Sequence, residues 1–161
     1  IWSVLMYIEG VEVKTPSLID RGFSEDYRGS VEYCNDIDLS FFKRFYFIHN
    51  PKQGTVRAWH GHKKEAKLVK VISGKFIIVA VEIDNWDEPS KSQDLHEFEM
   101  QADSGFLFIP PGYANGAMNL DSNSSALYFS SFALKEASSD DYRFDSKYWD
   151  PWTTLGGKIF E

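Results

Sequence analysis

The sequence predicts an all-β barrel of jelly-roll type with few short helices. Three observations predict it: short runs of β-branched and aromatic residues recur along the whole chain, Gly, Pro and Asn punctuate them closely, and helical periodicity is weak throughout. In order, VEYCND (31–36) and FKRFYFIHN (42–50) read as strands, and DIDLSFFKRF, which overlaps both, is long enough for one short helical turn. NPKQG (50–54) reads as a turn. In the next stretch, GTVRAWHGHKKEAKLVK, His60 and His62 are one residue apart, so on a strand they share a face. AKLVKVISGKFIIVAVEID reads as two strands joined at Ser73-Gly74, where glycine supplies the positive φ of a tight hairpin. Residues 95–100, 105–109, 117–120 and 126–133 supply four further candidate strands, with IPPGYANG as a turn region. SSDDYRFD has the Ser and Asp residues that cap a short helix.

A chain of 161 residues with 43% apolar and 25% charged residues fits one soluble globular domain, 1–161, that buries a core without staples. A net charge of -7 argues against nucleic acid and anionic membrane as partners, because their phosphates require a basic face. A local cluster remains suited to a small anion: Lys63, Lys64, Lys67 and Lys70, preceded by Arg57. Most of the 13 Phe, 8 Tyr and 5 Trp should pack in the core, leaving a minority to line a pocket for a sugar or a base. Cys34 is the single cysteine, which excludes an intrachain disulfide, disfavours a thiolate zinc site and fits a reducing cytoplasm. No run approaches the roughly 18 apolar residues of a membrane helix. IWSVLMYIEG is too short and poorly flanked for a secretory signal.

Gly54 followed by His60-Gly61-His62 resembles the first motif of the cupin superfamily, whose members are jelly-roll barrels. In metal-binding cupins a Glu follows the histidine pair and a later motif adds a third His. Counting back from Gly74 puts Lys67 at the Glu position, and in GFLFIPPGYANGAMN it is Asn115 that stands at the third His. An ammonium offers no lone pair and a neutral amide is a poor ligand, so the reading is a site with no metal and no cofactor. Glu65 is offset by one strand position from the histidine face.

The chain more closely resembles the dTDP-4-dehydrorhamnose 3,5-epimerase family, metal-free cupins acting on nucleotide-linked 4-keto-6-deoxy sugars. GVEVKTPSLIDRGFSEDYRGSVE is similar to that family's opening, RAWHGHKKEAKLVKVISGKFIIVAVEID to its central segment, and FIPPGYANGAMNLDSNSSALYF to the segment leading to a tyrosine. The resemblance implies His60 as general base, Tyr128 as general acid on the opposite sugar face, and Lys67 beside the developing enolate oxygen. It implies Arg28, Glu32 and Arg57 for substrate or diphosphate binding, with Asn115 lining the same site, and a homodimer. These types suit the reaction: a proton next to a ketone leaves only if the enolate charge is stabilised, and His and Tyr can exchange that proton. The sequence departs from the family at Asn115 and Ala58, and its tail KYWDPWTTLGGKIFE does not reproduce the carboxylate partner of the catalytic His.

HGHKK, DYRGS, FKRFYFI and DDYRFD also resemble the cupin 3,4-ketoisomerases of the same nucleotide sugars, which implies His62 as a second catalytic residue. Two neighbouring histidines suffice to shuttle a proton between adjacent carbons on one face, whereas an epimerase needs a base and an acid on opposite faces. A third possibility is a barrel that binds a sugar nucleotide without turning it over. The missing tail carboxylate and the absence of a first Met keep open that the chain is a module of a longer protein.

Overall fold

The computed structural model describes residues 5–157. Its strands are β1 (Tyr7–Ile8), β2 (Val11–Glu12), β3 (Ser17–Ile19), β4 (Gly22–Asp26), β5 (Gly29–Tyr33), β6 (Arg44–Asn50) and β7 (Val56–His62). They continue with β8 (Lys67–Ser73), β9 (Lys75–Glu82), β10 (Leu95–Gln101), β11 (Phe106–Ile109), β12 (Tyr113–Asn119), β13 (Ser124–Ser130) and β14 (Tyr142–Arg143). One helical turn, α1 (Leu134–Ala137), precedes β14. Two antiparallel five-stranded sheets, ordered β10-β9-β12-β7-β14 and β3-β11-β8-β13-β6, face one another as a jelly roll, and β1–β2 and β4–β5 form separate hairpins. Among the described residues no helix is long and apolar enough to cross a membrane.

Alternation fixes what each strand shows the interior. On β8, Val69 and Val71 enter the central core with Phe76, Ile78 and Ala80 of β9, while Leu68 faces a separate outer cluster. Lys67 continues the inward row of β8 and so points its ammonium into the barrel. The other face of β9, Ile77, Val79 and Val81, is buried as well, against Trp59 and the C-terminal Trp149 and Trp152. Burial on both faces explains why FIIVAV, within β9, is an unbroken apolar run.

The hairpin at Ser73-Gly74 forms as expected: Gly74 has φ +69, and a Cβ there would lie 2.1 Å from Ser124 Oγ. The expected short turn is a 3-10 turn at Leu39–Phe41, capped by Asp38, whose carboxylate accepts from Ser40 N. Three expectations shift. The strand expected at 31–36 spans Gly29–Tyr33, and the one expected at 117–120 starts earlier, at Tyr113, so only the Pro-Pro-Gly part of IPPGYANG turns. SSDDYRFD does not open a helix; α1 lies before it, and Tyr142 and Arg143 pair with Gly61 and His60 at the free edge of β7. An available sheet edge outweighs a weak local helix signal.

Candidate active site

Strict alternation would put His60 and His62 together and turn Arg57 away from them. A register shift between β7 and β12 removes that conflict. Arg57 pairs with Ala117 and His60 with Asn115, so Ala58 and Trp59 together oppose Gly116, as in a β-bulge. Ala58 and Trp59 both pack into the outer tryptophan cluster, and Arg57 returns to the face of the histidines, where it lines the same cavity from an exposed position. Gly61 completes the arrangement, since a Cβ there would meet Trp86 at 2.9 Å.

Arg57, His60, His62, Lys67, Asn115 and Tyr128 thus line one cavity of about 610 Å³. That volume falls in the range of small-molecule sites. Arg28 and Glu32 lie outside this cavity, on the exposed hairpin β4–β5. Arg28 pairs with Asp26 at 2.6 Å, and Glu32 with Arg21 at 3.1 Å and with Lys70. Sequence reasoning passed over Arg44, Tyr46, Asp141 and Arg143 of the cavity wall. For Arg44 and Tyr46 the signal was present: they alternate with the outward Phe45 and Phe47 along β6.

Tyr46 and Tyr128 are register partners on β6 and β13, and their rings stack at 5.4 Å and 10°. Burial, with the neighbouring Tyr46 adding to it, pushes the Tyr128 phenol well above its ordinary range, so it stays protonated. His60 goes the other way. Burial first, then the positive charge of Arg143, lower its pKa to about 4, partly opposed by Asp141, which is itself held low by its hydrogen bond from Arg143. The carboxylate nearest in effect to His60 is therefore Asp141, and it is bonded to Arg143 at 3.0 Å.

His62 is 7% exposed and its Nδ1 lies 2.7 Å from the Asp140 carbonyl oxygen. A carbonyl only accepts, so Nδ1 carries a proton, and in the neutral ring the lone pair is on Nε2. The Asp140 carboxylate accepts from the backbone N–H groups of Lys63, Lys64 and Glu65 at 2.8 to 2.9 Å, which pins the β7–β8 loop. That loop buries Glu65, whose Oε1 accepts from Lys67 Nζ at 2.6 Å, from Arg44 at 3.3 Å and from the Ser130 hydroxyl. Lys67 Nζ also sits 5.1 Å over the Tyr46 ring.

Despite the acidic chain, the cavity wall carries four cations (Arg44, Arg57, Lys67, Arg143) against two carboxylates (Glu65, Asp141), an excess of positive charge suited to an anionic ligand. A metal fits poorly. Lys67 and Asn115 occupy the positions where a cupin metal needs an acid and an imidazole. In the other cluster of donors, His62, Glu65 and Asp140, the Asp140 oxygens are engaged by backbone N–H groups and the Glu65 Oε1 by cations.

The depressed His60 pKa carries a stability prediction. The unfolded imidazole takes a proton near 6.5 and the folded one only near 4, so between these values the unfolded state binds more protons. This contribution is complete above about pH 6.5 and is lost as pH falls toward 4, amounting to roughly 3 kcal/mol. Denaturant unfolding at pH 7 and pH 4 should show a smaller acid loss in His60→Asn than in the parent. Equal losses in the two proteins would show that His60 contributes nothing to acid sensitivity.

A β-barrel with a cationic, histidine-bearing interior is the architecture of cupin-type isomerases, and sequence and structure comparisons agree. The sequence profile described as dTDP-4-dehydrorhamnose 3,5-epimerase matches residues 8–151, and the chain belongs to this family of dTDP-sugar epimerases and isomerases. Curated protein sequences gave no match. Among solved structures, an epimerase from Mycobacterium tuberculosis is similar at TM-score 0.72 and 17% identity, over 97% of this chain and 83% of that one. The dTDP-4-dehydrorhamnose 3,5-epimerase of Bacillus anthracis, with TDP and PPi bound, has TM-score 0.68 and 18% identity over 91% and 89%. A variant 3,4-ketoisomerase from Thermoanaerobacterium thermosaccharolyticum in complex with TDP has TM-score 0.64 and 22% identity over 88% and 96%.

Proposed function

We propose that the chain is a metal-independent epimerase of a nucleotide-linked 4-keto-6-deoxy sugar, with dTDP as the nucleotide, serving deoxysugar and polysaccharide biosynthesis in the cytoplasm. The observation that carries this reading is the convergence of His60, Lys67 and Tyr128 in one cationic cavity. Neutral His60 accepts the proton next to the ketone, the Lys67 ammonium meets the enolate oxygen, and the protonated Tyr128 returns a proton from the opposite face. Arg57 and Arg143 offer the diphosphate a paired cationic seat. Engagement of Arg143 by a diphosphate also relieves one of the charges that depress His60, so substrate binding strengthens the base. Incubation with dTDP-4-keto-6-deoxyglucose in deuterated water should give exchange at C3 and C5. Intact binding without exchange would leave a sugar-nucleotide-binding module instead, visible as thermal stabilisation by dTDP alone.

A second reading, 3,4-ketoisomerisation, is favoured by one observation: His62 lines the same wall as His60 with its Nδ1 fixed. NMR of the product separates the two, since the keto group then moves to C3.

The homodimer belongs to this proposal. Phe23, Tyr27, Val31 and Tyr33 on the β4–β5 hairpin are exposed, as are Phe45 and Phe47 on the outer face of edge strand β6, apolar side chains that a second copy would cover. A second copy is the occupant that lets Arg28 and Glu32 of the hairpin approach a substrate. Phe47→Asp should shift the mass seen by light scattering from dimer to monomer and weaken dTDP binding; a monomeric parent protein would exclude this arrangement.

A further inference from the structure

The Glu65 carboxylate stands behind two residues of the cavity at once. Its side chain is 1% exposed, Oε1 holds the Lys67 ammonium at 2.6 Å, and Oε2 lies 3.1 Å from His62 Nδ1. Oε2 has no hydrogen-bond partner although it is buried, because the Nδ1–H is directed at the Asp140 carbonyl. An unpaired carboxylate oxygen in the interior is expensive unless a charge develops next to it. Among the described residues, the group beside Oε2 that can gain positive charge in a proton-transfer reaction is the His62 ring.

We propose that Glu65 is a positioning residue that readies His62, whose Nδ1–H tautomer the Asp140 carbonyl sets, as a second proton carrier beside His60, while holding Lys67 against the enolate. This rests on the nucleotide-sugar isomerase reading and assigns that site a carboxylate from the β7–β8 loop. In the step it supports, a proton leaves the substrate carbon for His62 Nε2. The C–H electron pair becomes the enolate facing Lys67. The imidazolium keeps its Nδ1–H, with its charge opposite Oε2, until Nε2 returns the proton to the substrate and the neutral ring is restored. Position explains the division between the two histidines. His60 feels Arg143, Asp141, Lys67 and His62 without a hydrogen-bonded carboxylate, whereas His62 is set between Glu65 and Asp140, with Lys67 and Arg44 on the far oxygen of Glu65 and with His60 and Asp141 across the cavity.

The test combines nitrogen-15 NMR of histidine-labelled protein with the kinetics of Glu65→Gln on dTDP-4-keto-6-deoxyglucose. The wild-type His62 should show the Nδ1–H tautomer. In Glu65→Gln, kcat should fall about 10- to 100-fold with KM changed by less than about 2-fold, and the acid limb of the kcat/KM profile should move to lower pH. A wild-type His62 protonated on Nε2 overturns the proposal even if the variant fails to fold, as does a folded variant with the parent's kcat and pH profile. Absence of any turnover by the wild type defeats the isomerase reading, while a change in the His62 nitrogen-15 signals on going to Glu65→Gln still reports on Glu65, and unchanged signals overturn its role.

Discussion

His60→Asn is expected to lower kcat about 10²- to 10⁴-fold and to stop deuterium uptake at the sugar carbon it serves, the range that loss of a general base produces. Asparagine suits the test because it retains a polar side chain of similar size on a strand whose neighbours, the buried Trp59 and the tightly approached Gly61, tolerate little change. Tyr128→Phe separates the mechanisms. It removes only the phenolic oxygen from a 4% exposed ring that stays stacked on Tyr46, so folding should be little altered. If Tyr128 is the acid on the opposite face, the variant still takes up deuterium through His60 but no longer accumulates inverted sugar. If the reaction is a keto shift along one face, Tyr128→Phe keeps most of its turnover and His62→Asn loses it. A His60→Asn protein that exchanges deuterium at the parent rate would remove His60 from the mechanism.

How far the sequence discloses this site follows from where each residue's partners come from. The histidine pair, the β8–β9 hairpin and the inward row of Lys67, Val69 and Val71 rest on local rules, side-chain alternation and a glycine turn, and they are legible. The same alternation in RFYFI would have added Arg44 and Tyr46. The bulge that restores Arg57 is not legible, because it depends on Trp59 joining Trp149 and Trp152, some ninety residues along the chain. β14 likewise exists only because β7 offers it a free edge. Glu65 is the plainest case. In sequence it is one acid in a basic loop, and its burial is set by Arg44 of β6, Lys67 of β8 and Ser130 of β13. Arg28 and Glu32 came from a family resemblance, and in a single copy they remain on a hairpin away from the cavity.

Lys67→Met should damage both stability and catalysis, and the two losses can be separated. Lys67 and Glu65 are 5% and 2% exposed, so methionine fills most of the lysine's volume but leaves a buried carboxylate with Arg44 at 3.3 Å and the Ser130 hydroxyl as hydrogen-bond donors and the His62 ring at 3.1 Å. Removing one member of a buried ion pair costs about 3 to 5 kcal/mol, because the other charge is stranded in a medium that solvates it poorly. The double variant Lys67→Met/Glu65→Gln removes the buried carboxylate and deprives only the partly exposed Arg44 of its ion partner, so it should recover most of that loss, a coupling between contacting residues that a denaturant-unfolding cycle measures directly. Recovered stability should not bring back activity. The enolate formed next to the ketone would lack its cation in both variants, which lowers kcat by about 10²- to 10³-fold as loss of an oxyanion partner does. A single variant as stable as the parent would mean that the Glu65 charge is satisfied without Lys67, and a double variant with parental turnover would mean that the enolate never relied on the ammonium.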